Sequence, residues 1–358
     1  MIRAVPHVAA MDAYALADLG GPETVSLAQN ESAFPASPAA IAAGRAVLDK
    51  MPLYPDPDWP DLRAAIAGNH GLETDMILCG AGSMELIGCL IRAFAGAGDQ
   101  VLGTDYGYAF AASASAQVQA EYVKAHEEDL TVSVDNILAA VTPRTRIVFV
   151  CNPGNPTGTL IPNVEIIRLR QALPEDVMLV VDQAYAEIAD PAEDPRAIFD
   201  LVRRGDTVVV RTLSKAYGLA GARAGWGCFP AAIAAEVRKL LNPNNLSTPS
   251  QAMAAAAMRD QAHMRDVVAK TAAIRDRFAS GCRALGLEVP QSHTNFVLLQ
   301  FASEKDASRA DRALRENHLL MRGMGNYGHG DLNPDDVLDH DIKTDHPDEL
   351  ERVLTCTD

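Results

Sequence analysis

At 358 residues the chain exceeds what one hydrophobic core usually organises, so a large domain with a smaller companion is expected. Apolar residues make up 48% and charged residues 22%, the balance of a soluble globular protein, which argues against disorder outside the termini. A formal net charge of -16 argues against nucleic acid or an anionic membrane surface as a partner, because phosphates would be repelled.

The first residues, Met1 to Met11, hold one arginine and a brief apolar run, too short for a signal-peptide core. No later stretch reaches membrane-spanning length without charge or Gly and Pro, so a cytoplasmic protein is expected. Short β-rich runs then alternate with longer segments of helical character: Met76 to Cys79, Gln100 to Gly103, Arg146 to Val150, Val177 to Val181 and Thr207 to Arg211. Several lack polar alternation, as strands buried on both faces require. The fold expected is therefore α/β, a mostly parallel central sheet with helices on both faces, followed by a smaller α+β part. After Pro230 the text is helical and alanine-rich through Met258, and an amphipathic helix is expected from about Gln261 to Leu285. Thr294 to Leu299 reads as a strand, Ser308 to His318 as a helix and Gly323 to Pro334 as a loop. The six cysteines, Cys79, Cys89, Cys151, Cys228, Cys282 and Cys356, are scattered with no Cys-x-x-Cys pair, so neither a disulfide framework nor a zinc site is expected. Cys79 and Cys151 fall in apolar runs, where a buried, inert thiol is expected.

The last three β-runs each end in residues with chemical potential: Asn152 to Gly158, Asp182 to Tyr185, and Thr212 to Lys215. Ligands of open α/β sheets bind beyond the carboxyl ends of the strands, so these stretches are expected to share one crevice. The segment from Arg211 to Gly225 is the most specific. A lysine amine forms imines with aldehydes and serves as nucleophile or base when its surroundings lower its pKa. Around Lys215, the hydroxyls of Thr212 and Ser214 and the fork of Arg223 suit a phosphate, and the glycines let the backbone approach it.

With these residues in view, the chain resembles the fold-type I pyridoxal-phosphate enzymes, and among them the class I/II aminotransferases of the histidinol-phosphate aminotransferase type. The string Ser-Lys-Ala-Tyr-Gly-Leu-Ala-Gly-x-Arg from Ser214 to Arg223 carries the likeness, with Asn152 to Gly158 and Asp182 to Tyr185. The resemblance implies pyridoxal 5'-phosphate held as a Schiff base on Lys215. It implies that Asp182 pairs with the pyridinium nitrogen, and that Asn155 and Tyr185 act at the phenolic oxygen. Similar enzymes seat the cofactor phosphate on the amides of Ala81, Gly82 and Ser83, which precede a helical run from Met84 to Phe94. Tyr106 matches the family's aromatic stacked on the ring. Tyr54 matches a tyrosine that reaches the phosphate of a neighbouring subunit, which implies a homodimer with shared active sites. A PLP-binding large domain over 40-255 and a small domain from 1-39 and 256-358 follow from the same likeness. On the substrate side, Asn30 of Gln29-Asn-Glu31 and Asn295 of the run Ser292 to Phe296 match family segments.

One departure is visible. Relatives carry an arginine for the substrate's carboxylate or phosphate in the strand before the final helix, and here that place falls near Asp341. Either the alignment slips, or the segment is a solvated acidic surface, or the substrate's anion is held elsewhere, with Arg322 and Arg352 as substitutes. Asp339, His340, Asp341 and His346 have nothing to fix them in one place, so no metal is expected. The resemblance implies transamination between a small-molecule amino donor, an amino acid or amino-alcohol phosphate, and a keto acceptor. A decarboxylase or lyase on the same scaffold is the alternative. A non-catalytic, cofactor-binding regulatory domain is the reading from another class, against which the complete residue set stands.

Overall fold

The computed structural model describes residues 2-13, 20-21, 23-194 and 196-324, and the backbone of the strand 337-341. The first strand, β1 (Val25–Ser26), lies parallel to Leu319–Leu320 from late in the chain. The central sheet is made of β2 (Ile77–Gly80), β3 (Gln100–Thr104), β4 (Glu121–Ala125), β5 (Thr145–Cys151), β6 (Met178–Asp182), β7 (Thr207–Thr212) and β8 (Gly225–Cys228). Their order across the sheet is β2-β8-β7-β6-β5-β3-β4; β8 runs antiparallel to both its neighbours and the other pairings are parallel. Every residue of β6 and β7 is buried, which fits their Val- and Leu-rich text, because branched side chains fill a sheet covered on both faces.

The five expected runs are all strands, and each extends at its carboxyl end, to Gly80, Thr104, Cys151, Asp182 and Thr212. Two strands of the central sheet were not expected. β4 is an edge strand with exposed Glu121 and Lys124, and β8 reads Gly-Trp-Gly-Cys, whose glycines weaken any strand signal. The glycine is required there: a Cβ on Gly227 would lie 2.5 Å from the Phe229 ring and 2.9 Å from the Val209 carbonyl oxygen.

The alanine-rich stretch is two helices, Ala231–Arg238 and Thr248–Arg259, interrupted by the Asn- and Pro-bearing turn at residues 242-245; Ser247 caps the second by accepting from the Ser250 N–H. The long helix runs Gln261–Ala284 from an Asp260 cap. Then come β9 (Phe296–Gln300), β10 (Leu319–Leu320), β11 (Arg322–Gly323) and β12 (Val337–Asp341), with β12 antiparallel between β11 and β9. The helix expected from Ser308 begins earlier, at Glu304, because Ser303 accepts from the Asp306 N–H and so starts it.

Buried side chains form a large core drawn from Ala40 to Met258 and a smaller one joining Leu27 to Phe278, Val297, Leu299 and Met321. Leu130 meets Leu298 and Met324 in a third, small cluster beside Tyr106. Residues 27 to 36 run from the small core onto the large one, over the carboxyl edge of the central sheet.

Candidate active site

The carboxyl ends of β5, β6 and β7 open on a cavity of about 510 Å³, lined among others by Asn155, Asp182, Tyr185, Thr212, Ser214, Lys215 and Arg223. Each of these was expected at the site. Asp182 closes β6 and is buried; its Oδ1 accepts from the Ala184 N–H at 3.0 Å. Burial pushes its carboxyl up to about 7, against the opposing pull of that N–H and of the Lys215 charge. The Tyr185 hydroxyl accepts from Asn155 Nδ2 and from Asn30 Nδ2, both at 3.4 Å. Lys215 Nζ donates to the Asn30 carbonyl at 2.6 Å and the Gln29 carbonyl at 3.3 Å, and lies 5.6 Å from the centre of the Tyr185 ring.

At the other end of the cavity Gly82, in a left-handed conformation at φ 81°, leads into the helix Ser83–Phe94. The helix start and β8 approach so closely that a Cβ on Gly225 would lie 2.3 Å from the Ser83 nitrogen, and one on Gly82 would lie 2.7 Å from Arg223 Nη2. Arg223 is itself left-handed at φ 52°, and its Nη1 donates to the Ala220 carbonyl at 3.0 Å. Thr212 Oγ1 donates to Ser214 Oγ at 2.8 Å. A helix N-terminus, a guanidinium and two hydroxyls around a hollow kept open by glycines are the donor set of a phosphate seat. With a carboxylate, a phenol and an amine at the far wall, the residues fit a phosphorylated aromatic aldehyde.

The structure corrects two assignments in detail. Ala81 does not line the cavity, because its N–H donates to Glu85 Oε2 at 2.7 Å, while Gly82 and Ser83 do line it. Tyr106 packs behind the wall with Leu130, Leu298 and Met324, and Tyr108 faces the cavity in its place. Tyr108 could have been found from its position immediately before the helix Ala109–Gln117, which aims the chain toward the sheet's carboxyl edge. On the substrate side Asn30 and Arg322 line the cavity, with Gln29, Glu31 and Met324 beside them. Asn295 is buried behind the 29-31 segment. Tyr54 is 88% exposed and away from the cavity of its own chain. Along β12, Asp339 stands across from Arg322 on one side and Leu298 on the other, and Asp341 across from Phe296. Arg352 and His346 lie outside the described residues. Among the described residues no group of acidic, His and Cys side chains is placed to hold a metal ion, and no helix is long and apolar enough to cross a membrane. Cys79 and Cys151 are buried, and burial pushes both thiols up.

The chain is similar to known aminotransferases. Residues 22-330 match the model of the family described as aminotransferase class I and II. A histidinol-phosphate aminotransferase of Paramagnetospirillum magneticum is 43% identical over 310 residues, covering 86% of this chain and 85% of the relative. One from Hyphomonas neptunium is 39% identical over 332 residues, covering 91% and 90%. The crystal structure of histidinol-phosphate aminotransferase from Sinorhizobium meliloti in complex with pyridoxal-5'-phosphate superposes with a TM-score of 0.89 at 29% identity, covering 99% of this chain and 98% of that one.

Proposed function

This chain belongs to the class I and II aminotransferase family, and on that premise we propose which residues serve its pyridoxal-phosphate-dependent amino transfer and which donor it takes. The observation that carries the proposal is the meeting of Lys215, Asp182 and Tyr185 in one cavity with Arg223, Gly82 and Ser83 at its other end. Lys215 would hold the cofactor covalently through Nζ. Ser83, Ser214 and Arg223 would hold its phosphate, Asp182 its ring nitrogen, Asn155 and Tyr185 its phenolic oxygen, and Tyr108 would cover the ring. When bound, the cofactor supplies an electron sink for the pair left at the donor's α-carbon. Lys215, once its amine is released, takes the proton from that carbon. Asp182 provides the fixed negative charge at the far end, and the 29-31 segment shields the lysine from water.

The donor proposed is an amino-alcohol phosphate of the histidinol phosphate kind, with 2-oxoglutarate as the keto acceptor. The relatives' names support it. So does the cavity, where the Arg322 guanidinium offers a fork to a phosphate and the Glu31 carboxylate an acceptor to an imidazole N–H. With acids along β12, the donor's anion falls to Arg322. No observation favours the decarboxylase or lyase reading.

The two cores support a large domain over 40-255 with a small one from both chain ends. The exposed run Met51, Leu53 and Tyr54, at 57%, 70% and 88%, supports burial against a second copy in a homodimer. Free cysteines support a reducing, cytoplasmic setting.

Borohydride reduction of the yellow holoenzyme tests the assignment. The adduct is expected on Lys215, and Lys215→Ala should abolish turnover; mass spectrometry placing the adduct on another lysine would refute it. Loss of the imine absorbance on mixing with individual amino donors identifies the substrate, and indifference to histidinol phosphate would exclude the proposed donor.

A further inference from the structure

The 29-31 segment is held in an unusual way. Asn295 Nδ2 donates to the Asn30 carbonyl at 3.2 Å and to the Glu31 carbonyl at 3.0 Å, and the first of these is the carbonyl that receives Lys215 Nζ. Both partners are carbonyl oxygens, so the amide's orientation is fixed: its nitrogen must face the segment. Among the described residues Asn295 Oδ1, the other end of that amide, is buried with no hydrogen-bond partner. Asn30 itself is buried at φ 52°, in the left-handed region that asparagine tolerates better than most residues. Further along, the backbone of Phe34 to Ala36 lies against Gly218, where a Cβ would stand 3.0 Å from the Ala36 nitrogen. The chain is thus held by Asn295 at residues 30-31 and packed against Gly218 a few residues on.

We propose that Asn295 is a positioning residue which, through the Asn30 carbonyl, forms the seat of the Lys215 ammonium whenever that lysine is not bonded to the cofactor. This rests on the assignment of Lys215 as the cofactor's lysine. Its consequence is thermodynamic. The seat favours the state in which the lysine has been displaced, so it assists the incoming amine, and it also keeps the released Nζ within reach of the Tyr185 ring rather than loose in solvent.

Cofactor affinity separates this from a structural role. Pyridoxal phosphate engages the lysine, whereas pyridoxamine phosphate leaves it free to occupy the seat. In cofactor-free protein the lysine already occupies the seat, so Asn295→Ala is expected to tighten pyridoxal phosphate about tenfold, the scale of one hydrogen bond, and to leave pyridoxamine phosphate affinity unchanged. In a Lys215→Ala background the same substitution should leave pyridoxal phosphate affinity unchanged, since no ammonium remains to be seated. Weaker binding of pyridoxal phosphate, an equal change in both forms, or an undiminished effect without the lysine would overturn the proposal. Asn295→Leu, close in size but without a donor, should give the same selective shift if the alanine variant fails to fold. Persistence of the imine absorbance in Lys215→Ala is a different result, and refutes the lysine assignment itself.

Discussion

Asp182 is asked to be charged in a place that disfavours charge. Without cofactor, burial pushes its carboxyl up to about 7 from the ordinary 3.8, so the folded chain keeps a proton that the unfolded chain has released. Between about pH 4 and pH 7 the native state then binds more protons than the unfolded state, and stability falls as pH rises through that window before levelling off. Asp182→Asn cannot ionise. The cofactor-free variant should lose this slope and melt a few degrees above wild type at pH 8, while the loaded variant keeps the cofactor and loses at least about two orders of magnitude in rate. Parallel melting curves, or near-normal turnover, would reduce Asp182 to a cap for the Ala184 N–H. Lys215, Asp182, Asn155 and Arg223 were legible as residues of one cavity because each lies at a strand end or in the loop that continues it. Tyr106 and Ala81 were not resolved from their neighbours, because which of two adjacent residues faces a cavity depends on where a helix begins and which carboxylate claims an amide. Asn295 had no legible role beyond its family segment, since its partners are backbone carbonyls 264 and 265 positions away.

At the scale of elements, the phosphate seat is a matter of distance between two backbones. β8 pairs with β2 so that Gly80 and Gly225 are partners, and this brings the start of the helix Ser83–Phe94 under Arg223. Gly225→Ala would place its Cβ 2.3 Å from the Ser83 nitrogen and 2.5 Å from the Gly82 carbonyl carbon, contacts that backbone must relieve by moving. Overpacking of this kind costs about 1–3 kcal/mol, and here it falls on the seat. Cofactor affinity should drop about tenfold or more, with the circular dichroism of the fold retained; unchanged affinity would show that the seat tolerates a wider gap. The inner parallel strands announce themselves in sequence because both faces are buried and the text is mostly apolar, which the exposed edge strand β4 lacks. β8 does not, because the same close approach that gives it a role demands glycine, the residue that least resembles a strand.

For the whole molecule the open question is what covers Met51, Leu53 and Tyr54. A second copy is expected, and sedimentation should give a dimer. Tyr54→Phe should weaken cofactor retention and leave assembly intact, since one hydroxyl contributes only about 1 kcal/mol. If sites are shared, mixing Lys215→Ala with Tyr54→Phe chains places both defects in one site of a hybrid and neither in the other, so activity recovers, provided each variant is impaired alone. An active monomer, or no recovery despite subunit exchange, would sink the shared site. The α/β class and the small α+β part were legible from periodicity. The way the two chain ends meet was not, because β1 is only Val25–Ser26 and gains its meaning from Leu319–Leu320.

The antiparallel turn of β8 also bears on how the protein is made. A ribosome delivers the helix start at Ser83 long before Arg223 and Gly225, so the phosphate seat cannot exist until the nascent chain has passed β8 and returned it to the sheet beside β2. Pairings of such long sequence separation form slowly and late. The cofactor therefore has no assembled seat on the emerging amino-terminal half, and its capture marks the completion of the sheet.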